Sequence, residues 1–310
     1  MRVMKQLFAI AFLLLTNVSW ASCPSGQEEN DRTGQCVPMS GSSGNTVFGT
    51  TSVSQPSERS AAERLALVEP HFRIFKPTGD PPFPTILYFH GASNTAWHPE
   101  QEETIQRIAG EGYAVVYVDA FTGRKIGGER VRSGGLYPFE TAGDVMVTVD
   151  WANQQSWIDS DRIALWGRSF GAATIMDALT LSAPDRMPLR MSEKPAIGLD
   201  TVKAIVLQSP FCMKDVFVVR VMASWKEDFS VKVPIQVILP GADNYAPVCR
   251  KILERNKANG MPVDIITYKG AGHTFTQPTD DYGNGFPDYD KEKAEDAWLQ
   301  KIAFLRRLGL

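Results

Sequence analysis

The chain has 310 residues, 43% of them hydrophobic, enough for one large buried core with an extra segment to spare. Its 32 basic and 35 acidic residues leave a net charge of −3, which argues against a nucleic-acid partner. Four histidines and four cysteines with no Cys-x-x-Cys spacing argue against a zinc site, so neither metal nor cofactor is expected.

The first 22 residues read MRVMKQLFAIAFLLLTNVSWAS. Arg2 and Lys5 make a basic start, Leu7 to Leu15 an apolar stretch too short to span a bilayer, and Ser19-Trp20-Ala21 a small-x-small cleavage site. Residues 1–21 are therefore expected to be a secretory signal peptide, leaving a periplasmic or secreted protein with no membrane span. A lipoprotein anchored at Cys23 is the rival reading, but Trp20 stands where a leucine-like residue is needed. Export gives the even cysteine count a meaning, and two disulfides are expected, Cys23–Cys36 and Cys212–Cys249. Residues 22–61 are rich in Ser, Gly, Thr and Gln without apolar periodicity and read as a flexible segment, looped by the first of those pairs. Residues 62–310 read as one globular domain.

Within that domain strand-like and helix-like stretches alternate. HFRIFKP reads as an edge strand, FPTILYFHG as a buried strand and HPEQEETIQRIAGEG as a helix closed by glycine. YAVVYVDA is a second buried strand, and ETAGDVMVTVDWANQQ a helix. RIALW is a strand leading into the helix GAATIMDALTLS, and VKAIVLQSP is the next strand. A short helical stretch is expected around Met213–Trp225, then the strand VPIQVILPG and the helix APVCRKILERNKANG, capped by Gly260. MPVDIITYKG is the last strand and DKEKAEDAWLQKIAFLRRLGL an amphipathic closing helix. Continuous apolar strands between helices predict an α/β protein, with a mostly parallel central sheet covered by helices on both faces. Only 23 residues, 210–232, join two of the strands, too few for a large lid domain.

The pentapeptide Gly167-Arg-Ser-Phe-Gly171 lies between a strand and a helix, the setting of a nucleophile elbow. A chance match in a chain of this length is common, so the flanking elements carry the reading. Ser169 would stand clear of the sheet at a helix N-terminus, where developing negative charge is favoured. A serine needs a base. His71 precedes an edge strand, His98 opens a surface helix and His90 braces a turn, which leaves His273, in KGAGHTF directly after the last strand. Elbow sites run Ser…Asp…His along the chain, and Asp243 in LPGADNYAP meets that order, with Asp215 as the rival acid. Aspartate at such a place also serves as a helix cap, so the acid role competes with a structural one. Two backbone donors for an oxyanion are expected from Phe170 and from Ala92 in HGAS. The basic segment FTGRKIGGERVRSGGLYPFE, with Arg124, Arg130 and Arg132, reads either as an anion-seeking substrate loop or as a solvated surface. The acidic TDDYGNGFPDYD after His273 could form an opposite wall.

These residues together resemble the α/β-hydrolases, and within them the dienelactone hydrolase-like family. The likeness spans about residues 65–310 and rests on FHGAS, ALWGRSFGAA, PGADNYAPVCRKILERNKANGMPVDIITYKGAGHTF and AEDAWLQKIAFL. The founding type carries cysteine as nucleophile, whereas this chain has Ser169, which points to ester hydrolysis in general and not to dienelactone. Arg168 stands where related chains often have a bulky apolar residue. The resemblance implies an exported carboxylic ester hydrolase acting on a small or polymeric ester through an acyl-enzyme. A non-catalytic envelope or binding protein on the same fold, or a peptidase or acyltransferase, are the alternatives.

Overall fold

The computed structural model describes the strand pair Gln27–Glu29 and Cys36–Pro38, and residues 58–93, 97–215, 221–280 and 283–310. The expected signal peptide, and the side chains of the expected Cys23–Cys36 pair, lie outside the described residues. The chain divides into two compact units, Met1–Val53 and Ser54–Leu310. In the first, β1 (Gln27–Glu29) pairs antiparallel with β2 (Cys36–Pro38), Glu29 opposite Cys36.

The second unit opens on α1 (Ala61–Val68), a helix not anticipated from its Ser-rich surroundings. Its start follows from a capping box: Ser60 Oγ accepts from the Glu63 N–H at 3.2 Å, and Glu63 Oε2 accepts from the Ser60 N–H at 2.8 Å. There follow β3 (Arg73–Phe75), β4 (Phe83–Phe89), α2 (Pro99–Gly110) and β5 (Ala114–Val118). The basic segment after β5 contains one short helix, α3 (Gly128–Arg130), and irregular helical turns to Gly135. Then come α4 (Pro138–Asn153), β6 (Ile158–Arg168), α5 (Phe170–Leu181), β7 (Ala204–Gln208) and β8 (Ile235–Pro240). The chain ends with α6 (Ala246–Ala258), β9 (Val263–Tyr268) and α7 (Lys291–Arg307). Of the helical stretch expected around Met213–Trp225, only a single turn, Ala223–Trp225, is present among the described residues.

The strands form one seven-stranded sheet in the order β3-β5-β4-β6-β7-β8-β9. Only the edge pair β3·β5 is antiparallel. Side chains alternate across the sheet. Leu87, Phe89, Val116, Val118 and Leu165 pack on one face with residues of α4 and α5. Ile86, Tyr88, Val115, Tyr117 and Trp166 pack on the other with residues of α2 and α7. Burial on both faces explains the continuous apolar runs. Because the central strands are parallel, their C-terminal ends share one edge, where the polar residues of interest collect.

Candidate active site

At that edge β6 turns into α5 through Ser169, whose backbone is held at φ 49°, ψ −111°. A non-glycine residue rarely adopts a positive φ, and the surroundings enforce it here. The Ser169 N–H donates to the Gln208 carbonyl at 2.9 Å, and the Phe211 N–H donates to the Ser169 carbonyl at 3.0 Å. The flanking glycines are required by close approach. A Cβ on Gly167 would lie 2.6 Å from Ala172 Cα, and one on Gly171 would lie 2.1 Å from the Phe89 carbonyl oxygen. The helix thus starts against the end of β4, with Phe170 as its first residue.

The loop after β9 brings His273 Nε2 to 2.8 Å from Ser169 Oγ. The turn after β8 places Asp243 Oδ2 2.6 Å from His273 Nδ1. Asp243 is buried, whereas His273 keeps about a quarter of its side chain exposed. Asp243 Oδ1 also accepts from the Tyr245 N–H at 3.1 Å, so the carboxylate fixes its own turn as well as the imidazole. The Tyr245 ring meets His273 edge-on, with centroids 5.4 Å apart. The Cys212–Cys249 disulfide ties the segment after β7 to α6, which follows the Asp243 turn.

The other acids and histidines lie elsewhere. Asp215 accepts from the Val221 N–H at 3.1 Å and pairs with Lys226 at 3.1 Å. Asp264 is an exposed residue within β9. His90, fully buried, spans two backbone groups: Nδ1 donates to the Gly91 carbonyl at 2.7 Å and Nε2 accepts from the Ala120 N–H at 3.2 Å. Burial pushes its pKa down and keeps it neutral, as a brace needs. His98 is buried at the start of α2, near Ser93, where the sequence pointed to the surface.

A cavity of about 590 Å³ opens over Ser169. Gly91, Ala92 and Phe170 line it on one side, and Phe211, Met213, Tyr245 and Phe286 supply apolar walls. Asp280 and Phe286 come from the acidic, glycine-rich stretch, which does form a wall. Of the three arginines expected there, only Arg132 lines this cavity, and it donates to the Ala92 carbonyl. Arg124 is turned to Asp144 and the Ala120 carbonyl, at 2.8 and 2.7 Å. Arg130 lies along Gly135. Nothing in a loop's sequence fixes which side of it a charge will face. Arg168, next to the serine, lines the cavity, is buried and pairs with Glu100 at 3.3 Å. Among the described residues no group of three or more His, Cys, Asp or Glu could hold a metal ion.

Such an edge can support nucleophilic acyl transfer: a hydroxyl, an imidazole and a carboxylate in line, beside backbone N–H groups at a helix start. Comparison with known proteins agrees with the architecture. Residues 68–189 match the model of the X-Pro dipeptidyl-peptidase (S15) family, and residues 196–309 that of the dienelactone hydrolase family. A protein assigned as a dienelactone hydrolase, from Klebsiella pneumoniae, superposes with a TM-score of 0.58 at 15% identity, covering 76% of this chain and 92% of that one. A thermophilic esterase from Thermogutta terrifontis gives 0.52 at 17% identity, over 77% of this chain and 87% of that one. Dipeptidyl peptidase 4 of Porphyromonas gingivalis also gives 0.52 at 18% identity, over 76% of this chain but 33% of that one. No curated protein sequence matches. The chain is an α/β-hydrolase by fold. Among these proteins it is similar, in its C-terminal part, to the dienelactone hydrolase family.

Proposed function

We propose that the protein is a serine hydrolase that cleaves carboxylic esters through an acyl-enzyme. The observation that carries this reading is the line Ser169 Oγ to His273 Nε2, 2.8 Å, and His273 Nδ1 to Asp243 Oδ2, 2.6 Å, at the floor of an open cavity. His273 takes the Ser169 proton as Oγ attacks the ester carbonyl carbon. Asp243 holds the tautomer with the proton on Nδ1 and stabilises the imidazolium. The Phe170 and Ala92 N–H groups receive the oxyanion of the tetrahedral intermediate. As that intermediate collapses, the C–O bond breaks and the alcohol leaves with the proton from Nε2. Water, deprotonated by His273, then attacks the acyl-Ser169 ester and releases the acid. No cofactor takes part in this scheme. Export is part of the proposal, supported by the basic-apolar-small pattern of residues 1–21 and by the Cys212–Cys249 disulfide.

The S15 match over residues 68–189 favours one second reading, peptide hydrolysis by the same three side chains. The experiment is labelling by a fluorophosphonate, followed by turnover of p-nitrophenyl esters of graded acyl length and of X-Pro p-nitroanilides. Labelling at Ser169, its loss in Ser169→Ala and turnover of the esters are the expected results. In another serine hydrolase, loss of the nucleophile lowers kcat on the order of a millionfold. Turnover of the anilides alone would replace the ester reading with the peptidase one. No labelling of folded protein would favour a non-catalytic binding protein.

A further inference from the structure

Arg124 and Lys125 do not face the serine cavity. They line a different one, of about 340 Å³, together with Arg59, Arg64, Arg190 and Glu140. The five cations come from four places in the chain: the residue before the α1 cap, α1, the turn after β5, and the loop that follows α5. The fold assembles them as follows. The Arg59 N–H donates to the Arg190 carbonyl at 3.0 Å, and the Arg59 carbonyl accepts from the Ser192 N–H at 2.9 Å. A Cβ on Gly123 would lie 1.9 Å from the Leu67 carbonyl oxygen, so α1 and the turn after β5 touch backbone to backbone. Lys125 and Arg190 both hold left-handed backbone, φ 56° and 60°, which non-glycine residues seldom adopt.

The charges are out of balance. Arg64, 2% exposed, donates from Nε to Asp144 Oδ1 at 2.6 Å, and Arg124 Nη2 donates to the same oxygen at 2.8 Å. The other oxygen of Asp144 is buried without a partner. Arg190 reaches Glu140 at 3.6 Å. Glu63, held in the Ser60 cap, also interacts with the Arg59 charge. Five cations therefore face three carboxylates, Asp144, Glu140 and Glu63. Burial and the neighbouring Arg124 and Arg59 pull the Arg64 pKa down, against the upward pull of Asp144.

We propose that this cavity binds a multivalent oxyanion, phosphate or sulfate, either free or as the head of a larger molecule. A guanidinium carries five N–H donors in a planar fork. Arg64 and Arg124 each have donors beyond those used on Asp144 and on the Glu140 and Ala120 carbonyls. A concave wall with an excess of one sign concentrates the field, and a dianion would offset the cationic excess that the three carboxylates leave. The site does not depend on ester hydrolysis, and Ser169→Ala is expected to bind the anion as well as the native protein does.

The test is calorimetric titration of the full chain with inorganic phosphate and with sulfate, at ionic strength held constant with NaCl. Saturable binding is expected, with a Tm rise of about 2–4 °C at saturation. Lys125→Gln with Arg190→Gln, both exposed side chains, should keep the fold and weaken binding about tenfold or more. Lys257→Gln with Lys269→Gln, exposed cations elsewhere, should change nothing. Binding of glycerol phosphate no tighter than phosphate assigns the site to the free ion, and tighter binding assigns it to a head group. No response beyond that of NaCl, or equal affinity in the two double variants, overturns the proposal.

Discussion

Lys301 Nζ lies 2.5 Å from Gln208 Oε1, and Gln208 Nε2 lies 2.6 Å from Thr276 Oγ1, three residues beyond His273. The backbone carbonyl of the same Gln208 accepts the Ser169 N–H at 2.9 Å. One buried ammonium on α7 thus supports a glutamine that touches both the serine turn and the histidine loop. The ammonium also lies over the Trp166 and Trp298 rings, 4.5 and 5.5 Å from their centroids.

Burial, with Arg107 and Arg168 nearby, pushes the Lys301 pKa down to about 7. An unfolded chain keeps an ordinary lysine near 10.4. Between these values the unfolded state holds a proton that the native state lacks, so stability rises with pH there and is flat below about 7. The slope from this one group is at most about 1.4 kcal/mol per pH unit. Lys301→Met removes it. The expected result is a variant whose stability, relative to the native protein, is greatest at pH 6 and declines toward pH 10. Urea midpoints at pH 6, 7.5 and 9 for both proteins measure this. Parallel curves would mean that Lys301 stays charged in the fold.

Gly128, in the segment after β5, is expected to matter to rate through its contact with the 91–93 loop. A Cβ there would lie 1.7 Å from the Ser93 carbonyl oxygen and 2.7 Å from that of Ala92. Both atoms are backbone, so the loop carrying the proposed Ala92 donor must move. Loss of one oxyanion donor costs about 10² to 10³ in kcat in a well-studied serine hydrolase. Gly128→Ala should approach that loss while still labelling with fluorophosphonate, since Ser169 and His273 are untouched. Arg132→Gln, which removes the bond to the Ala92 carbonyl without forcing the loop backbone to move, should cost less. Full kcat in Gly128→Ala would show that the 91–93 loop does not supply a donor.

The Cys212–Cys249 bridge closes a separation of 37 residues. In the chain-entropy model that is worth roughly 4 kcal/mol, before any strain. Cys212→Ala with Cys249→Ala should therefore lower the urea midpoint clearly and leave it insensitive to reductant. A native protein whose midpoint does not move under reductant strong enough to open the bridge would remove the disulfide from the stability argument.

The strands were legible because each is buried on both faces and so written as an unbroken apolar run; RIALW and VPIQVILP needed no further signal. The elbow was legible because Gly167 and Gly171 are forced by backbone contacts made within a few residues of Ser169 and at the end of β4. Two things escaped. The helix Ala61–Val68 follows a Ser-rich stretch and offers only a short apolar face, although Ser60 and Glu63 already spelled its cap. The cavity walls and the direction of each arginine in the segment 121–135 depend on loop packing, which carries no period. Thus Arg132 reaches the serine cavity, while Arg124 turns to Asp144, an ion pair set by tertiary contact alone.

The carboxylate assignment gives the sharpest contrast within the proposed mechanism. Asp243 is buried and holds His273 Nδ1 at 2.6 Å, whereas Asp215 is committed to Lys226 and the Val221 N–H. Asp243→Asn keeps the shape but offers Nδ1 an amide, so the imidazole can settle in the tautomer that cannot accept the serine proton. In another serine hydrolase that change lowers kcat by about 10⁴. Asp215→Asn should cost less than about tenfold, because its carboxylate serves Lys226 and the Val221 N–H and is not bonded to His273. The Tyr245 N–H bond of Asp243 raises the competing explanation that the variant merely loosens its turn. Thermal midpoints separate the two: a turn effect lowers stability and rate together, whereas a tautomer effect lowers kcat at an almost unchanged midpoint. Equal losses of rate in folded Asp243→Asn and Asp215→Asn would take the acid role away from Asp243.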